Sequence, residues 1–341
     1  MSPGLSRSCC SAKMLSRATW RPPMTSRHPA PPLKIAHRGG SGLWPENTMR
    51  AFHEAIAGGA QGIELDVHLT KDGVLVVHHD ESLKPAIARA PDGAWVEPPT
   101  PRIKDLTFTE LQAFDIGRLR PGASYSARYG DQAAIDGERI PTLEAVIDLV
   151  RQEADPDFVV YTELKTSLSD LSQSSDPITL ADAAVDLIEN KGFGAQSVFV
   201  SFDWRALARA KERAPHIRNA FTTMPFYSID PDDSSGENDG ESAAALRAAS
   251  AQGADFFDGF DWRNQTGSRF AERLLRAIAD APADGWFAWH GDIQEETVAQ
   301  ARALGLSVSA WTVDELEEMR RLSALGIDAI LTDRLDRLVM V

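Results

Sequence analysis

Cysteine is almost absent: Cys9 and Cys10 stand side by side near the N-terminus and there is no third. Adjacent cysteines offer neither a disulfide framework nor metal-ligand spacing, so a reducing compartment, the cytoplasm, is the expected setting. Long apolar runs are missing too. No stretch of the sequence approaches the ~20 apolar residues of a membrane-spanning helix, so no stable membrane insertion is expected. Residues 1–32 hold no apolar run of the roughly 7–15 residues that a signal-peptide core requires. Positive charge is scarce, with 35 Lys and Arg against 50 Asp and Glu and a net charge of -15. A field of that sign argues against nucleic acid and anionic membranes as partners, and a phosphate site would need its own local cations. The G-x-G-x-x-G spacing of a dinucleotide site is lacking around Gly39, Gly40 and Gly42. Those glycines suit a sharp turn instead, with backbone amides available to a phosphate.

The rest of the composition is that of a globular protein, 43% hydrophobic and 25% charged over 341 residues, enough for one barrel-sized core. Residues 1–32 mix Ser, Arg and Pro without periodicity. They read as an appendage: a disordered extension, a transit peptide, or a translation start placed ahead of Met14 or Met24. From Leu33 onward short apolar runs alternate with helical patterns, the signature of a parallel sheet with crossover helices. Strands are predicted at residues 33–37, 62–70, 158–164, 198–202, 218–222, 286–290, 306–312 and 329–332, with 254–260 competing for the sixth place. Helices are predicted over 48–58, 142–150, 178–190, 204–213, 242–251 and 296–304. Lys71-Asp72-Gly73 favours a tight turn into a returning strand, 74–79, a hairpin on top of the ring. Residues 85–139, rich in Pro, Gly and Asp, read as an insertion with little regular structure, and 230–241 as a solvated acidic loop. The expected fold is α/β, a TIM (β/α)8 barrel over residues 33–341 with an inserted hairpin and loop region after the second strand.

Along the second strand Ile63, Leu65, Val67 and Leu69 share one face, and Glu64, Asp66 and His68 the other. Twice the strand rise sets Glu64 and Asp66 about 7 Å apart. Val159, Tyr161, Glu163 and Lys165 share a face of the third strand, as Ile35 and His37 do on the first. Active sites of this fold lie at the C-terminal strand ends, so these charged residues converge there. Three clustered carboxylates left unpaired are costly. One divalent cation with Arg38 and Lys165 outweighs them by a single charge, which one phosphodiester cancels. All-oxygen ligands suit Mg²⁺ or Ca²⁺ better than zinc.

The stretches KIAHRGGSGLWPENTMRAF and GIELDVHLTKDGVLVVHHDESL resemble the signature of the glycerophosphodiester phosphodiesterases. RIPTLEAVIDLV, TELK, VSF, SAWTV and ILTD continue the resemblance in order, skipping two inserted regions. It implies a TIM barrel that cleaves glycerophosphodiesters, small molecules such as glycerophosphocholine and glycerophosphoethanolamine, to sn-glycerol 3-phosphate and an alcohol. It also implies Glu64, Asp66 and Glu163 as metal ligands, His37 and His79 as the acid–base pair, and Arg38 and Lys165 as phosphate ligands. Only one of His78 and His79 can face the site, and Asp80 after His79 favours the latter. Asp314 stands where the family often has Asn, and Arg334 where Pro is common. Trp311, at a strand end, is either core or the floor of a glycerol pocket. His53 reads as surface, His68 as a supporting or neutral residue, and His290 as structural or lining the mouth. Two alternatives remain: a phospholipase D- or sphingomyelinase D-like activity on lysolipids, with Ile87, Trp95 and Phe108 as apolar insertion residues, and a non-catalytic binding barrel. The latter predicts a lost catalyst or ligand, whereas all seven polar positions are filled.

Overall fold

The computed structural model describes residues 30–168, 170–230, 241–253 and 255–341. Expectations for Cys9, Cys10, Met14, Met24 and nearly all of the N-terminal appendage, and for the acidic residues 231–240, lie outside the described residues. The unit that carries the architecture runs from Pro31 to Val341.

The described residues form nine strands: β1 (Leu33–His37), β2 (Gly62–Leu69), β3 (Leu75–Val77), β4 (Val159–Leu164), β5 (Ser197–Ser201), β6 (Arg218–Thr222), β7 (Gly285–Trp289), β8 (Ser307–Trp311) and β9 (Ala329–Thr332). Eight of them pair in parallel, in the order β1-β9-β8-β7-β6-β5-β4-β2, and β1–β2 pairing closes the ring. The helices lie in the crossovers, so this is the TIM (β/α)8 barrel expected. Strand β3 pairs antiparallel with the end of β2 and stays outside the ring. The sixth barrel place goes to β7, whereas Asp255–Phe257 in the competing run forms a single 3-10 turn.

Parallel strands are covered on both faces, and β2 and β4 are buried from end to end. Ile63, Leu65 and Val67 belong to the large outer core that also holds Leu143, Val146 and Val150 of the helix Leu143–Glu153. Ile35, Val159, Tyr161, Val200, Phe287 and Leu331 fill the interior below the site. Burial of each such side chain contributes about 1.5–3 kcal/mol. Gly62 takes the slot beneath Glu64 because a Cβ there would stand 2.5 Å from the Val159 carbonyl oxygen. On the outside, the helix Met49–Ala57 starts at Thr48, whose Oγ1 accepts from Ala51 N at 3.1 Å, and buries Phe52 and Ala55.

The insertion is irregular, as expected, with the short helix Phe108–Leu111 and 3-10 turns at Ile103–Asp105 and Ser126–Arg128. It is nonetheless packed. Val76, Leu83, Ala88, Val96, Ile103, Leu111, Ile116 and Ile140 form a cluster of their own. Among the described residues, the helices Phe270–Asp280 and Leu316–Leu325 went unread in the sequence, as did the single turns Phe226–Ile229 and Leu335–Leu338. Phe270, Leu274, Leu275 and Ile278 make a helical face in the first, but Arg269 and Glu315 at the caps give no Ser, Thr, Asp or Asn start signal. Among the described residues no helix is long and apolar enough to cross a membrane.

Candidate active site

Strand register assembles the site. His37 stands beside Glu64 across β1–β2, and Asp66 beside Glu163 across β2–β4. The chain then leaves β1 through a turn in which Arg38, Gly39 and Gly40 all have positive φ, 50°, 82° and 94°. A Cβ on Gly39 would meet Ala51 Cβ at 2.6 Å, so only glycine fits. Arg38 holds the same backbone region with a side chain, at a cost of about 1–3 kcal/mol, the kind of strain that gathers at functional sites. In return its amide donates to Glu64 Oε2 at 3.2 Å while its guanidinium Nε stands 3.2 Å from Asp66 Oδ2.

Glu64, Asp66 and Glu163 are buried, and each presents a carboxylate oxygen within 4.8 Å of the other two. Lys165 Nζ lies 2.9 Å from Glu163 and 3.5 Å from Asp66, and Asn47 Nδ2 donates to Asp66 Oδ2 at 2.8 Å. Asp66 Oδ1 is buried and makes no hydrogen bond. Burial and then the charge of Asp66 push the Glu64 carboxyl up to about 8. Burial acts on Asp66 too, but Lys165 and Arg38 overcome it and hold Asp66 well below the ordinary range. Two cations are thus too few for three buried carboxylates, and Glu163 as well as Glu64 is raised by burial. Crowded, dry oxygen donors, one of them without a hydrogen bond, fit a divalent cation, which would supply the missing positive charge.

Two histidines face this cluster, each with its Nδ1 held by a carboxylate. His37 Nδ1 donates to Asp333 Oδ1 at 2.6 Å, leaving Nε2 3.8 Å from Glu64. His79 Nδ1 donates to Asp80 Oδ1 at 2.5 Å, with its ring part-exposed. Burial works to lower the His37 pKa, but the charge of Asp333, with that of Glu64, wins and raises it. His79 is held well below its usual value by burial and by Arg38 and Lys165. His78 turns away, buried, its Nε2 donating to the Ser82 carbonyl at 3.3 Å. His68, pushed down to about 4 by burial, donates to the His79 carbonyl at 3.2 Å.

The structure adds residues to which sequence reasoning assigned no role. Asp333 and Glu46 lie inside the quoted stretches ILTD and WPENT, and nothing in their spacing marks them as partners of His37 and Arg38. Asn47, next to the capping Thr48, serves Asp66 instead. Asp314 Oδ1 accepts from Asp333 N at 2.9 Å, placing it behind His37. Arg334 Nη1 pairs with Asp131 of the insertion at 3.0 Å. Trp311 ends β8 with Nε1 donating to Phe287 O at 3.3 Å and its ring edge-on to Phe202. His290 lies 3.0 Å from Glu318, outside the carboxylate cluster, and His53 pairs with Glu153 at the surface.

Residues 37–337 match the Glycerophosphoryl diester phosphodiesterase family. The chain belongs to this family. As a member it is a phosphodiester hydrolase. A glycerophosphodiester phosphodiesterase of Caldanaerobacter subterraneus subsp. tengcongensis is 30% identical over 307 residues, covering 90% of this chain and 96% of that one. A crystal structure from Silicibacter pomeroyi DSS-3, assigned to the same family, is 28% identical with a TM-score of 0.74, covering 92% and 95% of the two chains. A phosphodiesterase of Oleispira antarctica, solved with its product sn-glycerol 3-phosphate, shares the fold at 22% identity, TM-score 0.60, with 91% and 96% covered.

Proposed function

We propose that the protein hydrolyses glycerophosphodiesters such as glycerophosphocholine and glycerophosphoethanolamine to sn-glycerol 3-phosphate and an alcohol. The observation that carries this reading is the pair of carboxylate-held histidines beside a buried triad of acids. Glu64, Asp66 and Glu163 would hold one divalent cation, Mg²⁺ or Ca²⁺, which supplies charge neutralisation at the phosphoryl oxygens. Arg38 and Lys165, already beside those carboxylates, bind the remaining oxygens of the phosphate. The attacking oxygen, of water or of the neighbouring glycerol hydroxyl, gives its proton to one histidine as it bonds phosphorus. The P–O bond to the alcohol then breaks, and the other histidine supplies the proton the alkoxide needs; where the glycerol hydroxyl attacked, water then opens the cyclic phosphate to sn-glycerol 3-phosphate. Fixing Nδ1 on a carboxylate leaves Nε2 of each ring for that work. Trp311, against Phe202 and Phe287, offers an apolar wall for the glycerol carbons. The paucity of cysteine supports a cytoplasmic setting.

A lysolipid substrate is the second reading, favoured by Leu171, Ile178 and Tyr227, which are exposed on segments that follow β4 and β6. Purified protein incubated with a panel of glycerophosphodiesters and lysophosphatidylcholine, with and without chelator, separates the two. Release of sn-glycerol 3-phosphate from water-soluble diesters, stopped by chelator, is the expected result. Turnover of the lysolipid alone would reject the first reading.

A further inference from the structure

The 3-10 turn Ser126–Arg128 of the insertion is flanked by Tyr125 and Tyr129, whose rings lie 5.2 Å apart. Tyr129 Oη donates to Asp333 Oδ2 at 3.3 Å, while the other oxygen of that carboxylate accepts from His37 Nδ1. Tyr125 Oη donates to Glu46 Oε2, while Glu46 Oε1 accepts from Arg38 Nη1 and Lys84 Nζ, both at 3.3 Å. The two arrangements repeat one design. A tyrosine of the insertion bonds the back of a carboxylate whose front holds a residue of the reacting centre.

The rings are seated without their hydroxyls: Lys84 Nζ stands 4.2 Å over the Tyr125 ring and the Arg128 guanidinium 5.5 Å over that of Tyr129. The hydroxyls do something else. A carboxylate bonded at one oxygen swings about its own χ angles, and a second bond at the other oxygen stops it. For Asp333 the main chain is pinned as well, through Asp314. A proton-transfer residue or a phosphate ligand gains rate or affinity from such fixing, because reacting atoms displaced by 1 Å lose much of both.

We infer that the insertion is a positioning clamp for the hydrolytic site: Tyr129 orients the Asp333–His37 pair for proton transfer, and Tyr125 orients the Glu46–Arg38 pair for holding phosphate. The inference rests on the roles of His37 and Arg38 given above. Neither tyrosine touches the reacting atoms, so both are positioning residues. Tyrosines that merely glue the insertion to the barrel would lower the unfolding temperature and the folded fraction, and with it apparent kcat, while leaving KM unchanged.

The test is steady-state kinetics of the full chain on sn-glycero-3-phosphocholine, with thermal unfolding of every variant. Tyr129→Phe and Tyr125→Phe keep ring and cation contact and lose only the hydroxyl. Tyr129→Phe is expected to lower kcat about tenfold with KM within about twofold, the usual size of an outer-sphere loss. Tyr125→Phe is expected to raise KM about fivefold to tenfold with kcat within about threefold. In an Asp333→Asn background, Tyr129→Phe should cost less than about threefold more, because the link they share is already altered. Wild-type constants in either tyrosine variant, a kcat loss in Tyr129→Phe no larger than its loss of folded protein at the assay temperature, an unchanged KM in Tyr125→Phe, or full multiplicative loss in the Asp333→Asn background would each overturn the clamp. Should Tyr129→Phe fail to fold, Tyr125→Phe decides by the same split of KM from kcat. A wild type that leaves every glycerophosphodiester intact overturns the assigned activity, and the clamp with it.

Discussion

His78 and His79 are neighbours with identical rings, and one step of strand register separates their fates. His79 stands part-exposed at the cluster, held by Asp80, while the His78 ring is buried on the Ser82 carbonyl. His79→Ala and His37→Ala should each lower kcat by on the order of 10²–10⁴ with the fold intact, and the wild-type rate should be bell-shaped in pH. His78→Ala should instead cost stability, about 1–3 kcal/mol for the partner left unsatisfied, and little turnover. A denaturant titration beside the activity assay distinguishes them, and an inactive but stable His78→Ala would reverse the assignment. At this scale the sequence was legible wherever period-2 alternation applied. Glu64, Asp66 and Glu163 could be set on inward faces because their own strands dictate it. Asp333 could not be joined to His37, because 296 residues separate them and only barrel closure brings β9 against β1.

At the scale of elements, the cluster depends on β2 lying close against β4, and at Gly62 that approach leaves no room for a side chain. Gly62→Ala would drive a Cβ to 2.5 Å from a backbone oxygen that cannot rotate away, and to 2.7 Å from Ile35 Cδ1. The expected loss is about 1–3 kcal/mol from overpacking, with weaker metal binding as the Asp66–Glu163 register spreads. Gly59→Ala is the control, since a Cβ there meets nothing within 4 Å and only its φ of 84° is strained. Equal midpoints for the two variants in urea would show that the interior contact at Gly62 does not matter. Elements were readable where apolar period and stop signals coincide, as over Trp204–Arg213 and Ala329–Thr332. The insertion was not, for its fold rests on a private cluster and on ion pairs such as Arg89–Asp115, neither of which has a period.

For the whole molecule, the site's unmet charge becomes a matter of stability. In the metal-free protein Glu64 is pushed up to about 8, above its unfolded value, so the folded state binds the extra proton. Metal-free stability should therefore fall as pH rises from the ordinary carboxylate range to about 8. A divalent cation on the triad removes that penalty by displacing the proton, so its affinity should rise by up to about tenfold per pH unit and level off above 8. Stabilisation follows affinity, reaching about 2.7 kcal/mol when the ion is at 100 times its dissociation constant. Thermal unfolding with Mg²⁺, with Ca²⁺ and with chelator, at pH 6, 7, 8 and 9, reads this directly. The gap between metal and chelator should widen from pH 6 to 8 and then hold steady, and calorimetry near pH 7 should show protons released as metal binds. Glu163→Gln, which removes one of the three competing charges, should bind metal more weakly and lessen the proton release. A gap that is constant across the range would mean that the three carboxylates are already ionised without the metal, and the charge argument for a cation at Glu64, Asp66 and Glu163 would fail.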